Sequence, residues 1–239
     1  MNLGDIVLGL ASIAIGYSQI KKGVAAITPK DSTNLRGAPV RKIQKGQYFT
    51  LSGAALGKPV AEGKMKIRGV NNLDDRMAAI IEMAQRGKVE PSVMAWARSQ
   101  VTKRCRQGRN GEQWCTPEKD TMAEIAAIYQ GMRSDVRYTS DIRGFDTYVN
   151  PKHTLAQQAA DCDDYASLGV AALNSIGIPA RYKVIRTHGS PDWDHIYIQA
   201  GTPKENPTRW VSLDASVPMQ AGWEAPAHMI ADSRLYETE

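Results

Sequence analysis

The stretch Asp161-Cys162-Asp163-Asp164-Tyr165-Ala166-Ser167-Leu168-Gly169-Val170-Ala171-Ala172-Leu173-Asn174-Ser175-Ile176-Gly177-Ile178-Pro179-Ala180-Arg181 decides how the chain is read. Asp161 carries the short carboxylate of a helix N-cap, and Asp164 follows at the spacing of a capping box with a shorter acid. Tyr165, Leu168, Gly169, Ala172, Leu173 and Ile176 recur at helical spacing and define one buried face. Gly177 ends the helix, and Ile178-Pro179-Ala180 leads into a strand expected over residues 181–186. Cys162 then stands in the first turn of a buried helix. The partial positive charge of a helix N-terminus stabilises a thiolate, and free N–H groups there can hold an oxyanion. Asp161, Asp163 and Asp164 oppose thiolate formation, so a nucleophilic Cys162 needs a basic partner. The plain alternative is a small buried hydrophobe.

That partner is expected downstream. Residues 193–199 alternate as a strand, with His195, Tyr197 and Gln199 on one face. Residues 210–214 read as another, with Trp210, Ser212 and Asp214 sharing a face. Residues 201–208 contain Gly201, Asn206 and two prolines and read as a loop. An antiparallel pairing that sets 200 opposite 209 sets 195 opposite 214, and so places His195 beside Asp214. A carboxylate beside an imidazole orients the ring and favours its charged form. Cys162, His195 and Asp214 are therefore candidates for nucleophile, base and orienter. Gln157 and Gln158 precede the nucleophile and are weaker candidates as oxyanion donors, against a plain reading as helix-surface residues. Trp193 and Tyr197 are candidates for the cleft wall, with core packing as the equal alternative. His153, His188 and His228 have no comparable context. The chain shows no three- or four-ligand metal spacing and no Gly-rich phosphate loop, and no cofactor is expected.

Upstream, Asn72 caps a helix with Asp74 and Asp75 in its first turn, an apolar stripe of Met77, Ile80, Ile81 and Ala84, and Gly87 at its end. A second helix is expected from Pro91, with Val93, Met94, Ala97 and Val101 on one face. A third is expected from near Pro117, with Met122, Ile125, Ile128, Tyr129 and Met132. Cys105 and Cys115 stand between the second and third, either as a disulfide or as two thiols. Residues 28–71 lack helical periodicity and read as an extended arm, with short strands at residues 48–51 and 65–70. Residues 6–20 carry no charge and suit an interfacial helix or one buried against a partner, with an ordinary core helix as the alternative. No positive charge precedes them as a secretory signal requires, and no apolar run reaches the length of a membrane span.

The 239 residues are 42% hydrophobic and 23% charged, which excludes a wholly disordered chain. Three cysteines exclude a disulfide-built scaffold and a Cys-rich zinc module. The charge is uneven. Residues 1–109 hold 19 Lys+Arg against 7 Asp+Glu, and residues 110–239 hold 11 against 18. Either the halves attract each other, or the basic half meets an anionic surface such as nucleic acid or membrane, or an acidic protein.

Taken in order, Asp161-Cys162-Asp163-Asp164-Tyr165-Ala166, Gly177-Ile178-Pro179-Ala180-Arg181, His195-Ile196-Tyr197 and Leu213-Asp214-Ala215-Ser216 resemble the transglutaminase-like superfamily of papain-like cysteine enzymes. Val136-Arg137-Tyr138 and Pro151-Lys152-His153-Thr154-Leu155 resemble that family's lead-in. Ala160 replaces the family's usual Gly, and Asp214-Ala215 its Asp-Pro. The layout is similar to versions found with phage and prophage genes. The resemblance implies an α+β fold with a papain/transglutaminase-like core, helices of residues 72–177 packed on a small antiparallel sheet of residues 181–215. A tail of about 20 residues, with Trp223 and Pro226, is expected to cover one edge. The expected division is a basic, partly extended N-terminal arm over 1–71 and a cysteine-enzyme domain over 72–239. The resemblance implies acyl transfer by a Cys-His-Asp triad on a protein or peptide substrate, peptidoglycan stems included. The long arm points instead, or in addition, to a virion or assembly protein that grips other subunits and has little turnover.

Overall fold

The computed structural model describes residues 72–105, 114–141 and 147–238, together with the backbone of 40–41, 56–61 and 64–67. The helix expected at residues 6–20 and the strand expected at 48–51 lie outside the described residues. Five α-helices occur among the described residues: α1 (Leu73–Gly87), α2 (Pro91–Val101), α3 (Thr121–Asp135), α4 (Pro151–Gln157) and α5 (Cys162–Ser175), with a short 3-10 turn at Ala227–Met229. The strands are β1 (Val40–Arg41), β2 (Leu56–Ala61), β3 (Lys64–Ile67), β4 (Arg137–Tyr138), β5 (Thr147–Val149), β6 (Ala159–Ala160), β7 (Ala180–Thr187), β8 (His195–Thr202), β9 (Arg209–Leu213) and β10 (Ile230–Glu237).

Helix α5 is central because it has almost no polar face. Eleven of its residues are buried, Leu168 and Leu173 fully, and each such leucine stabilises the fold by about 1.5–3 kcal/mol. The other helices pack around it, and its remaining side lies on β8. The contact with β8 is close: a Cβ at Gly169 would stand 2.5 Å from Ile198 Cδ1 and 3.0 Å from Met132 Cε. At the C-terminal end, Gly177 takes φ 78°. Its N–H bonds the Asn174 carbonyl and that of Ile178 bonds Leu173, the paired closure that a left-handed glycine permits.

The expected helix starts hold at α1 and α2. Asn72 accepts the Asp75 N–H at 2.8 Å, and Pro91 opens α2. Helix α3 starts later than Pro117 suggests. Asp120 is the cap, accepting the Ala123 N–H at 3.0 Å, and Lys119 turns the chain with φ 61°. Helix α4 escapes the sequence reading because seven residues give too little period to see.

The main sheet runs β1-β10-β7-β8-β9, antiparallel except for the parallel pair β1–β10. The fold is thus α+β, helices on a largely antiparallel sheet. The tail does more than cover an edge. As β10 it adds a strand beside β7, which its sequence hides by interrupting the apolar residues with Asp232, Ser233 and Arg234. The backbone of β3 joins β2 and β5 in a second small sheet, so segments of the expected arm pair with the domain. Cys105 and Cys115 are disulfide-bonded, with Cα atoms 4.9 Å apart.

Candidate active site

The register of β8 and β9 differs from the expected one. Thr202, not residue 200, stands opposite Arg209, and Ile198 opposite Leu213. The hairpin loop is shorter because Gly201 stays in the ladder opposite Trp210. A Cβ there would lie 2.8 Å from the Pro207 ring, so this glycine serves a close approach rather than a turn. A slip of two residues preserves the facing of every side chain. Continued past its last pair, the register sets Asp214 across from Tyr197, one pleat from His195. The carboxylate reaches the ring diagonally.

His195 Nε2 and Asp214 Oδ2 are 2.7 Å apart, the ring about a quarter exposed and the carboxylate buried. The other carboxylate oxygen is held too. Asp214 Oδ1 accepts the Ser216 hydroxyl at 2.6 Å and the Ser216 N–H at 3.2 Å. Tyr129 donates to the Asp214 backbone carbonyl at 2.9 Å. Every oxygen of Asp214 is thereby fixed, and Nδ1 is the ring nitrogen left to meet a substrate or thiol. The sequence motif Leu213-Asp214-Ala215-Ser216 assigns no role to Ser216. Its signal is the Asp-x-Ser spacing, which lets an aspartate bond the backbone two residues on.

Helix α5 presents Cys162 from its first turn. The Asp161 side chain accepts the Asp164 N–H at 3.2 Å and caps the helix. The thiol is half-buried, and Sγ lies 3.9 Å from Asp163 Oδ1. The Ile196 backbone N–H reaches it from β8, one residue beyond His195. Burial pushes the thiol pKa well above its ordinary value, and the charges of Asp163 and Asp161 push the same way. The Ile196 N–H pulls it down, and the Asp214 carboxylate adds a smaller upward push. Burial and flanking acids thus outweigh the helix terminus. These pushes favour the protonated thiol, so nucleophilic attack requires a base that takes its proton.

Asp161, Asp163 and Asp164 are all buried, with one carboxylate oxygen of each within 4.8 Å of the others. Two have structural duties: Asp161 caps α5, and Asp164 accepts the Val149 N–H at 2.7 Å.

The weaker candidates separate. The Gln157 amide is exposed and donates to the Ala159 carbonyl at 2.8 Å. Gln158 closes α4 in a left-handed conformation, φ 52°, with an exposed side chain. Trp193 is half-buried against the core, with the Arg234 guanidinium 4.7 Å over its ring. Tyr197 is buried, its ring 5.9 Å from that of His195 and its hydroxyl without a hydrogen-bond partner among the described residues. Burial, Glu224 and Asp214 push its pKa up. Asp194, an alternative partner for His195, instead accepts the Thr187 N–H at 2.9 Å. Tyr138, outside the sequence candidates, is brought close: β4 pairs with β6 so that Tyr138 faces Ala160, two residues before Cys162.

Residues 109–215 match the transglutaminase-like superfamily. No curated protein matches the chain. Among solved structures, a candidate cysteine protease from Cytophaga hutchinsonii is similar at 20% identity, with 71% of this chain and 54% of that one covered and a TM-score of 0.37. A TGase is similar at 14% identity, covering 78% of this chain and 51% of that one, with a TM-score of 0.33. Legionella pneumophila LapG, EGTA-treated, is similar at 12% identity, covering 64% of this chain and 89% of that one, with a TM-score of 0.37. The chain spans about half the length of the first two.

Proposed function

We propose that this chain is a cysteine-dependent acyl-transfer enzyme acting on peptide or carboxamide carbonyls. The observation that carries the reading is the His195–Asp214 contact of 2.7 Å, with Asp214 held from its other side by Ser216 and His195 on the strand whose Ile196 N–H reaches the cysteine at the α5 N-terminus. His195 Nδ1 takes the proton of the Cys162 thiol as sulfur attacks the carbonyl carbon. The carbonyl oxygen gains the negative charge and is stabilised by the N-terminal end of α5. The imidazolium, oriented through Nε2 by Asp214, then gives its proton to the leaving amine, leaving a thioester on Cys162. Water, deprotonated by His195, releases the acid in a peptidase or amidase, and an amine releases a new amide in a transglutaminase. The upward push on the thiol pKa from burial and the flanking acids supports proton transfer during attack.

The test is acylation by an activated peptide ester followed by intact mass. The wild-type chain gains one acyl group on Cys162, which hydroxylamine removes, and His195→Ala gains it far more slowly. Equal acylation of the two, or acylation elsewhere with Cys162 unmodified, overturns the reading.

A further inference from the structure

Two adjoining cavities lie near the candidate triad, and none of Cys162, His195 and Asp214 lines either. The first has a volume of about 580 Å³ and is lined by Arg133, Arg137, Tyr138 and Ser216, among others. The second, about 380 Å³, is lined by Trp96 and Lys152. Both include Asp135 and Gln158, so they meet there as two lobes. The groove touches the site at two points. Ser216 bonds Asp214, and Tyr138 pairs with Ala160 just ahead of Cys162.

The groove is cationic in a half of the chain that is acidic, with 11 Lys+Arg against 18 Asp+Glu. Its one lining acid, Asp135, is occupied from its own side. It accepts from Trp96 Nε1 at 2.8 Å, Gln100 Nε2 at 3.1 Å and the Ser134 hydroxyl at 2.6 Å. Arg133 donates to the Met219 carbonyl at 2.6 Å. Arg137 and Lys152 are exposed, and neither has a carboxylate at ion-pair distance among the described residues. Close to Cys162, by contrast, stand the Asp163 carboxylate, 3.9 Å from the sulfur, and Asp161. A carboxylate is therefore repelled at the scissile bond and attracted farther along the lobes.

We infer that this groove is the substrate cleft, and that it selects an extended peptide whose acidic side chains lie away from the reacting carbonyl, over Arg137 and Lys152. The inference rests on the reading of Cys162 as acting on peptides, but its test needs no turnover. Full-length Cys162→Ala protein is titrated by fluorescence anisotropy with three labelled peptide pools of equal length, identical except for Glu, Gln or Lys at the flanking positions. The Glu pool is expected to bind at least tenfold tighter than the Lys pool. Adding Arg137→Glu and Lys152→Glu abolishes or inverts that order, whereas Arg98→Glu, an exposed change outside the groove lining, leaves it intact. If the charge reversals impair folding, Arg137→Gln with Lys152→Gln replaces them and is expected to bring the Glu pool down to the Gln pool. Equal binding of the Glu and Gln pools to the unmutated groove overturns the inference. So does an equal loss on Arg98→Glu, which assigns the binding to the chain's general basic charge. Failure of ester acylation at Cys162 with the Glu preference retained counts against the enzyme reading alone.

Discussion

Replacing Asp214 by Asn changes one atom of a buried carboxylate and reverses the proton arrangement of the whole site. The Ser216 N–H, 3.2 Å from Oδ1, can only donate, and its hydroxyl is 2.6 Å from the same oxygen. The Asn carbonyl must therefore face Ser216, which turns the amide NH2 toward His195 Nε2, where Oδ2 stood at 2.7 Å. Nε2 must then accept, so the ring proton moves to Nδ1, the nitrogen that has to receive the thiol proton. An Asp→Asn change that imposes the wrong tautomer in a Ser-His-Asp triad lowers kcat about 10⁴-fold, or about 5.4 kcal/mol at 1.36 kcal/mol per decade. A loss of that order is expected here in the rate of Cys162 acylation by an activated peptide ester. Asp214→Ala is expected to lose less, because a water can take the vacated place beside a ring that is 23% exposed and restore the productive tautomer. Thermal melts check that both variants fold. An Asn variant within threefold of wild type, or one faster than the Ala variant, would refute the proton arrangement.

The raised thiol pKa has a signed consequence for stability. Below the ordinary thiol value of 9.0 both folded and unfolded chains keep the Cys162 proton. Above it the unfolded chain releases a proton that the folded chain holds, so stability falls as pH rises toward the folded value. Urea titrations at pH 7 to 10 are expected to show a decline that Cys162→Ala reduces, and identical slopes would contradict a raised pKa. Gly169→Ala places a methyl against Ile198 Cδ1 at 2.5 Å. Overpacking of about 1–3 kcal/mol is expected to outweigh about 1 kcal/mol of helix propensity. Because α5 carries Cys162 and β8 carries His195, acylation should slow more than stability alone explains, and a stabilised variant of normal rate would count against that coupling. Glu224 accepts from Lys183 at 3.1 Å and from Gln199 at 2.9 Å over the sheet face, with Lys183 almost fully buried. Glu224→Ala strands that ammonium and is expected to cost about 3 kcal/mol in chemical denaturation. Adding Lys183→Met should recover part of the loss, and no recovery would mean that the pair is not coupled.

Much of the site was legible along the chain because its signals are local. The Asp161 cap, the apolar stripe from Tyr165 to Ile176 and the left-handed Gly177 are set by neighbouring backbone groups, and they place Cys162 at a helix start without tertiary information. The period-two alternation of residues 195–199 likewise assigns His195 and Tyr197 to one face, and the two-residue register slip left that assignment intact. The thiol's state depends on groups that meet only in the folded chain. Burial and the Asp163 carboxylate at 3.9 Å override a helix terminus that read as activating. The register keeps Gly201 in the ladder close against Pro207, an approach that a turn-like glycine does not announce. Strand β10 formed where β7 offered an unpaired edge rather than where propensity pointed. The sequence by itself determined which side chains could do chemistry, because caps, periods and turns act over a few residues. Only the tertiary structure decided the burial of Cys162, the anchoring of Asp214 by Ser216 and the cavities near them, because desolvation and cross-element hydrogen bonds exist only after distant segments close on one another.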